Sequence, residues 1–130
     1  MYVLDSNSLI YFFKGMGGVA DRLLSTPPAD IAISTVVLYE IEVGITKSPS
    51  PRKRRAQLSS FLGYATILPF GQKEAAASAT IRADLEKRGL PIGPLDNLIA
   101  GTAFSHGAIL VTNNVYEFGR IEGLKIENWL

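Results

Sequence analysis

The chain has 130 residues, of which 47% are hydrophobic and 19% are charged, and these values indicate one globular domain. It contains no cysteine, which excludes disulfide frameworks, thiolate zinc sites and cysteine nucleophiles. The formal net charge of +1 does not by itself indicate a nucleic-acid binder. The amino terminus lacks the features of a signal peptide and no apolar run approaches the ~20 residues of a membrane span, so we expect a cytoplasmic protein without membrane contact.

The first part of the chain alternates short apolar segments with turn residues. Residues 2–4 predict a strand, the polar residues 5–7 a tight turn, and the apolar residues 9–13 a helix. A glycine-rich break follows, and residues 19–25 predict a second short helix that ends at a Thr-Pro-Pro sequence. Residues 31–33 are β-branched or small and predict the second strand.

The middle of the chain predicts two helices and a third strand. Ser34 or Thr35 is placed to cap the helix that follows the second strand. The Ser-Pro-Ser-Pro sequence at 48–51 is a loop, and the basic run after it leads into a further helix with one apolar side. Residues 66–68 predict the third strand.

The last part of the chain carries the clearest patterns. Residues 72–88 are good helix formers and stop at Gly89, a usual helix-ending residue. A Gly-Pro pair introduces another helix that continues to residue 107. Residues 108–112 form the strongest strand candidate, and 125–127 predict the last strand.

Strands that alternate with helices indicate a mostly parallel central sheet covered on both faces, because parallel neighbours need long crossover connections. We therefore predict a single domain over 1–130 with a three-layer α/β/α fold. In such sheets the ligand site lies at the carboxyl ends of the strands. Asp5, Asn113 and Asn114 directly follow strands, while Glu40 and Asp96 lie on helices that place them near the same edge.

Asp5, Glu40 and Asp96 are the candidate catalytic acids, because each is flanked by apolar residues rather than by other surface groups. Carboxylates gathered at such an edge repel one another and lose hydration, and a divalent cation keeps them ionised together. Oxygen ligands without histidine or cysteine favour Mg²⁺, or Mn²⁺ as a substitute. The inferred reaction class is metal-assisted hydrolysis of a phosphodiester.

Each acid also has a purely structural explanation. Asp5 is placed to cap the following helix, Asp96 to interact with the positive end of its own helix, and Glu40 to pair with a nearby lysine or arginine. His106 is the only histidine and is expected at a helix end, so ribonuclease chemistry that uses two histidines is excluded. From spacing alone both interpretations of the acids stay open.

The segment Lys47 to Arg55 holds most of the local positive charge. If three acids bind a cation, nine acidic residues remain against 13 basic ones, a balance of +4 that suits an RNA backbone. We expect Arg52 and Arg54 within this cluster to contribute to RNA binding; a solvated helix face is the alternative. The apolar content is higher than a monomer needs, and we expect a homodimer.

Four segments in sequence resemble the PIN-domain toxins called VapC. They are Tyr2-Val3-Leu4-Asp5-Ser6-Asn7, Leu38-Tyr39-Glu40-Ile41-Glu42-Val43-Gly44, Gly93-Pro94-Leu95-Asp96-Asn97-Leu98-Ile99-Ala100, and Leu110-Val111-Thr112-Asn113-Asn114 with Glu117-Phe118. The resemblance covers essentially the whole chain. It implies a Mg²⁺- or Mn²⁺-dependent endoribonuclease that is the toxin of a toxin–antitoxin pair, held inactive by a VapB-type antitoxin. It also implies a dimer, with operator DNA contacted only through the antitoxin.

The resemblance also assigns roles by position. Asp5, Glu40 and Asp96 match the acidic metal ligands of the family, and Glu40 fits better than Glu42. The fourth acidic position of the family falls at Asn114, which offers an amide oxygen without charge, so a second metal is in doubt.

The remaining candidates surround these acids. Asn114 stays a candidate catalytic residue, and Glu117 is a candidate additional ligand that compensates for its missing charge. Asn7, Thr112 and Asn113 are candidate contacts to phosphate or water, which completes the set of predicted substrate-binding residues.

Three rival functions remain at this point. The first is a catalytically silent PIN-like module that binds RNA or a protein, which the asparagine at 114 keeps open. The second is a phosphoryl-accepting domain with Asp5 as nucleophile, although the acid expected at position 7 is missing. The third is a structure-selective DNA nuclease, for which the chain is short.

Overall fold

The computed structural model describes residues 1–130 and contains five strands and seven helices. The strands are β1 (Tyr2–Leu4), β2 (Ile31–Ser34), β3 (Thr66–Leu68), β4 (Ile109–Val111) and β5 (Lys125–Glu127). The helices are α1 (Ser6–Lys14), α2 (Val19–Leu24), α3 (Thr35–Lys47), α4 (Pro51–Leu62), α5 (Gln72–Lys87), α6 (Pro94–Ser105) and α7 (Val115–Phe118), with a 3-10 turn at Pro28–Asp30. None of these helices combines the length and the apolar character that crossing a bilayer requires.

The five strands form one sheet in the order β3-β2-β1-β4-β5, and every neighbouring pair is parallel. The chain moves from β1 toward one edge through β2 and β3, then returns past β1 to β4 and β5. Because parallel crossovers are right-handed, this reversal places connections on both faces of the sheet. The predicted three-layer α/β fold with a parallel sheet is confirmed.

The reversal also creates a crevice between β1 and β4, since the connections that leave these two neighbours run in opposite directions. In open parallel sheets ligands bind at this switch point, beyond the carboxyl ends of the strands. The residues that follow β1 and β4 are Asp5 and Thr112, respectively. The topology therefore fixes where a functional site is to be sought.

The local signals that start and stop the helices act as the sequence predicts. Ser34 caps α3 by accepting a hydrogen bond from the backbone N–H of Val37 at 3.1 Å. Pro51 and Pro94 occupy the first turns of α4 and α6, where a missing N–H has no cost. Gly15 ends α1 with φ of 67°, a left-handed conformation that strongly favours glycine.

Two segments differ from the sequence-based expectation. β4 is shorter than predicted at both ends, and Ala108 lies outside it because its N–H donates to the carbonyl of Ala103 to close α6. α7 was not predicted, since one helical turn is too short to show apolar periodicity. Asn114 caps this turn by accepting from the N–H of Glu117.

One hydrophobic core of 25 buried side chains unites the sheet with its helices. The central strands are buried on both faces, so Val3 and Leu4 of β1 and Leu110 and Val111 of β4 are fully inaccessible. The polar residues that follow these strands therefore lie where the apolar interior meets solvent.

Candidate active site

Asp5 combines a structural role with an available oxygen. It is 5% exposed and caps α1, its Oδ1 accepting from the N–H of Ser8 at 2.8 Å. Its own N–H donates to the carbonyl of Val111 at 3.0 Å, and the Ser8 hydroxyl donates to that same carbonyl at 3.1 Å. These bonds fix Asp5 at the crevice between β1 and β4. Oδ2 accepts no hydrogen bond and is not sealed from solvent, so it remains free for a ligand.

Glu40 lies on the second turn of α3 and is tied to α1 rather than to a basic residue. The hydroxyl of Ser6 donates to its Oε1 at 2.6 Å across 34 positions of sequence. Two residues later, Glu42 is directed elsewhere and forms an ion pair with Arg55 of α4 at 3.0 Å. The two glutamates of α3 thus serve different surfaces, with Glu40 beside the residues that follow β1.

Asp96 lies on the first turn of α6 and is partly buried. Burial, followed in importance by the charges of Glu40, Glu117 and Asp5, raises the pKa of Asp96 to about 6. Its side chain accepts no hydrogen bond that would offset this repulsion. Three acids from distant segments of the chain therefore lie close enough to Asp96 to affect its ionisation.

The same four acids do not converge on a point. No three carboxylates of the chain are close enough together to hold one ion as their side chains stand. Asp5 and Glu40 each accept a hydrogen bond from a residue of α1. The donor set contains only oxygen atoms, since the single histidine is engaged by Glu74, and this chemistry fits a hard divalent cation.

Close packing of α6 on α5 sets the position of Asp96, through residues that no motif in the sequence marks. Asn97 is buried beside Asp96 and donates from Nδ2 to the carbonyl of Ser78 on α5 at 2.8 Å. One turn later, a Cβ on Gly101 would lie 1.9 Å from the hydroxyl of Ser78, so only glycine fits there. That hydroxyl is buried without a hydrogen-bond partner. The register of α6 on α5 is therefore closely determined.

The loop after β4 is organised by its own side chains. The buried hydroxyl of Thr112 accepts from the N–H of Asn114 at 2.9 Å. The amide of Asn114 is used twice, since Oδ1 accepts from the N–H of Glu117 and Nδ2 donates to Glu117 Oε2 at 3.2 Å. Asn114 thus holds the Glu117 carboxylate in the acidic group. Asn7 and Asn113 are exposed, and their side chains make no hydrogen bonds.

The basic residues at the start of α4 are not equivalent. Arg55 is neutralised by Glu42, and Arg52 is exposed without an acidic partner. Arg54 is partly buried and is held by Gln57, whose Oε1 accepts from Arg54 Nη1 at 2.8 Å. Of the arginines in this segment, the structure places Arg54 next to the cavity that contains Glu40.

The single histidine has a structural environment. His106 lies at the end of α6, with Nε2 at 2.9 Å from Glu74 Oε2. The other oxygen of Glu74 accepts from the backbone N–H of Gly71 at the start of α5, and this hydrogen bond is the main reason that the pKa of Glu74 is lowered. His106 makes no contact with the acidic group, which agrees with the expectation from the sequence.

Comparison with known protein families gives one matching model, that of the PIN domain, over residues 2–124. Two curated relatives align with nearly their whole length. The tRNA(fMet)-specific endonuclease VapC of Salmonella typhimurium is 34% identical over 128 residues, covering 98% of this chain and 97% of the relative. The ribonuclease VapC2 of Rickettsia felis is 38% identical over 131 residues, covering 99% and 98%.

Solved structures give the same result. The VapBC2 complex of Rickettsia felis, bound to a DNA fragment from its promoter, contains a chain that superposes with a TM-score of 0.92. That chain is 37% identical, and the alignment covers 99% of the present chain and 98% of the other. Fold, length and sequence therefore agree along the entire polypeptide.

Proposed function

This chain belongs to the PIN-domain family and is an endoribonuclease of the VapC toxin type, and we propose that Asp5, Glu40 and Asp96 bind the Mg²⁺ that its reaction uses. Mn²⁺ is the expected substitute, since it accepts the same oxygen ligands. Transfer RNA is the first substrate to test, because the Salmonella relative carries that specificity in its name.

One observation supports the proposal above all others. Asp96 is partly buried and lies near Glu40, Glu117 and Asp5, and burial first and then those three charges raise its pKa to about 6. Such a group costs folding free energy, because carboxylates repel one another and burial removes their hydration. A bound hard cation offsets this repulsion. A purely structural role for the acids does not explain why four carboxylates lie near one another.

The chain's own residues prepare the site in three ways. Asp5 presents Oδ2 at the crevice because its other oxygen is fixed by α1. Glu40 is oriented by the hydroxyl of Ser6, and Asp96 by the register of α6. A bound Mg²⁺ would supply positive charge to the phosphoryl oxygens and a water of lowered pKa. The Asp96 carboxylate, which accepts no hydrogen bond from the protein, is available to orient an attacking water.

Asn114 replaces a charged ligand, and Glu117 is the residue that restores the charge. Its carboxylate is held by the Asn114 amide and acts on the ionisation of Asp96. We propose one tightly held metal, with Glu117 as an additional ligand reached directly or through water. Thr112 shapes this loop, and Asn7 and Asn113 at the exposed rim are placed to contact the RNA backbone.

The proposed partner is a VapB-type antitoxin, since the related chains were solved in VapBC complexes on DNA. We propose that this chain reaches operator DNA only through that antitoxin, that it forms a homodimer, and that it acts in the cytoplasm. Light scattering of the purified toxin at micromolar concentration tests the dimer, and a monomer mass contradicts it.

The function is tested by assaying purified Asp5→Asn, Asp96→Asn and Glu42→Gln variants on total tRNA with Mg²⁺ or EDTA. The first two are expected to lose cleavage while keeping a native circular-dichroism spectrum. Glu42→Gln is the matched control, because it removes an α3 carboxylate that lies outside the acidic group. Parent-level cleavage by either aspartate variant contradicts the assignment, and binding of RNA without cleavage by the parent supports the silent-module alternative.

A further inference from the structure

A cavity of about 380 Å³ opens beside the acidic group and has no role in the site described so far. Glu40 forms part of its wall, so the cavity adjoins the acidic group at that residue. The other walls come from α1, α3, the Ser-Pro-Ser loop and the start of α4. We call it the Glu40 groove, and its principal lining residues are Ile10, Phe13, Lys14, Glu40, Pro49 and Arg54.

The Glu40 groove carries two cations that no acid neutralises. Lys14 lies in the last turn of α1 and Arg54 in the first turn of α4, and neither takes part in an ion pair. By contrast, four of the other arginines of the chain, Arg22, Arg55, Arg82 and Arg88, pair with acids. The positive charge in the groove is therefore available to an anion from outside.

Arg54 is also held in place. Its Nη1 donates to Gln57 Oε1 at 2.8 Å and approaches the carbonyl of Phe13 at 3.5 Å. Gln57 Nε2 donates to that same carbonyl at 2.8 Å, which ties α4 to the end of α1. A guanidinium fixed in this way loses little conformational entropy when it binds a phosphate. The Arg54 guanidinium is therefore preorganised for binding and is not a mobile surface charge.

We propose that the Glu40 groove binds the nucleotide next to the scissile phosphate, with Arg54 and Lys14 contacting the flanking phosphate. The apolar side chains of Ile10, Phe13 and Pro49 supply a surface on which a base packs without strict sequence preference. The cavity lies at the small end of the range of ligand sites, which suits one nucleotide. This inference rests on the proposed function, because the acidic group must hold the adjacent phosphate.

Charge explains why such a subsite is needed. The acidic group repels an RNA backbone until a cation is bound, so a fixed positive group close by helps to hold the chain in register. Arg54, together with Lys14, provides this positive charge in the Glu40 groove. Arg54 is thus the member of the basic segment proposed to position substrate, while the exposed Arg52 is expected to contribute only unfixed positive charge to RNA binding.

The test compares Arg54→Ala with Arg54→Lys, Gln57→Ala and Arg52→Ala. Binding of a fluorescein-labelled RNA oligonucleotide that the parent cuts is followed by anisotropy at several salt concentrations, with Ca²⁺ in place of Mg²⁺ so that the acidic group holds a hard cation during the measurement. Arg54→Ala is expected to weaken binding about tenfold and to lower the slope of log affinity against log salt by about one. Arg52→Ala is expected to change affinity less than threefold, because Arg52 is an exposed charge. Gln57→Ala, which releases Arg54, is expected to weaken binding by a factor between those of Arg52→Ala and Arg54→Ala, and Arg54→Lys to restore part of the affinity.

Trimmed RNAs locate the contact. Oligonucleotides that lack the nucleotide on one side or the other of the cut site are bound to the parent and to Arg54→Ala. The loss of RNA affinity caused by Arg54→Ala is expected to disappear for only one of the two trimmed RNAs. If Arg54→Ala lowers the affinity equally for all RNAs, or if Arg52→Ala lowers it as much as Arg54→Ala does, the effect is general electrostatic attraction and the proposed subsite is wrong.

Two further outcomes separate this inference from the proposed function. If Arg54→Ala cuts RNA with parent KM and kcat in Mg²⁺, the subsite is wrong while the metal-dependent nuclease stands. If Arg54→Ala weakens binding of a cognate antitoxin but not of RNA, the groove is a protein-binding surface and the inference is also wrong. If the parent protein itself cleaves no RNA in Mg²⁺, the proposed function is wrong.

Discussion

Replacing Asp96 by asparagine is expected to stabilise the metal-free protein above pH 7 while it abolishes metal-dependent cleavage. Burial and the neighbouring acids raise the pKa of Asp96 to about 6, well above the value of an aspartate in the unfolded chain. The folded state therefore binds a proton that the unfolded state releases. Ionisation of Asp96 opposes folding as a result, and asparagine does not ionise.

The magnitude follows from that pKa and from the position of the side chain. A rise from 3.8 to about 6 corresponds to about 3 kcal/mol at neutral pH, since each unit is worth about 1.4 kcal/mol. Solvent screening reduces this because Asp96 is only partly buried. Loss of the favourable interaction with the positive end of α6 reduces it again. The expected net gain is about 1 kcal/mol.

The sign fixes the pH window. Below about pH 3 the Asp96 side chain is protonated in both the folded and the unfolded parent, so its ionisation makes no difference to stability there. The parent loses stability relative to the variant as the pH rises from about 4, the pKa in the unfolded chain, through about 6, and the difference stays constant above 7.

Urea unfolding in EDTA at pH 4, 6 and 8, with and without excess Mg²⁺, measures this effect. Mg²⁺ is expected to stabilise the parent and not the Asp96→Asn variant. Asp84→Asn serves as the control, because Asp84 is exposed on α5 and pairs with Arg88. A variant less stable than the parent at pH 8, or a difference that does not change with pH, refutes the account of like-charge repulsion at this site.

Three other predictions follow from the same geometry. Gly101→Ala is expected to cost about 2 kcal/mol or more of stability, because its Cβ forces α6 away from α5. Adding Ser78→Gly is expected to restore part of that stability, and thermal unfolding measures both effects. Equal stability of the parent and the Gly101→Ala variant contradicts the close packing. Ser6→Ala is expected to lower kcat about tenfold with little change in stability, because Glu40 loses its orienting hydroxyl, and Ser6→Thr to retain activity. The Mg²⁺ concentration for half-maximal cleavage is expected to rise below pH 6 as protons compete for Asp96, and a pH-independent value contradicts this.

The fold was predictable because its signals are local. Apolar strands such as residues 31–33 follow turns, Pro94 opens a helix and Gly89 follows one. The parallel sheet then follows from the alternation of strands and helices. The single turn of α7 was missed because its stability comes from the Asn114 cap and the buried Phe118 rather than from a periodic pattern.

The candidate site was predictable only in part. Asp5 and the residues after β4 follow strands, so the rule for parallel sheets locates them. The partner of Glu40, in contrast, is decided by the packing of α1 on α3, and no spacing in the sequence reveals Ser6 as that partner. Likewise, Arg54 differs from Arg55 only because Glu42 on another helix neutralises one of them. Such distinctions depend on tertiary contacts.

The central position of β1 affects when the site forms during synthesis. Its partner β4 begins more than a hundred residues later, with Tyr2 opposite Ile109, so the middle of the sheet stays open until most of the polypeptide has left the ribosome. Asp5 emerges early, but the segment with Asn114 and Glu117 arrives near the end. The nascent chain therefore carries no complete acidic group beside the RNA-rich ribosome until its last segment has been synthesised.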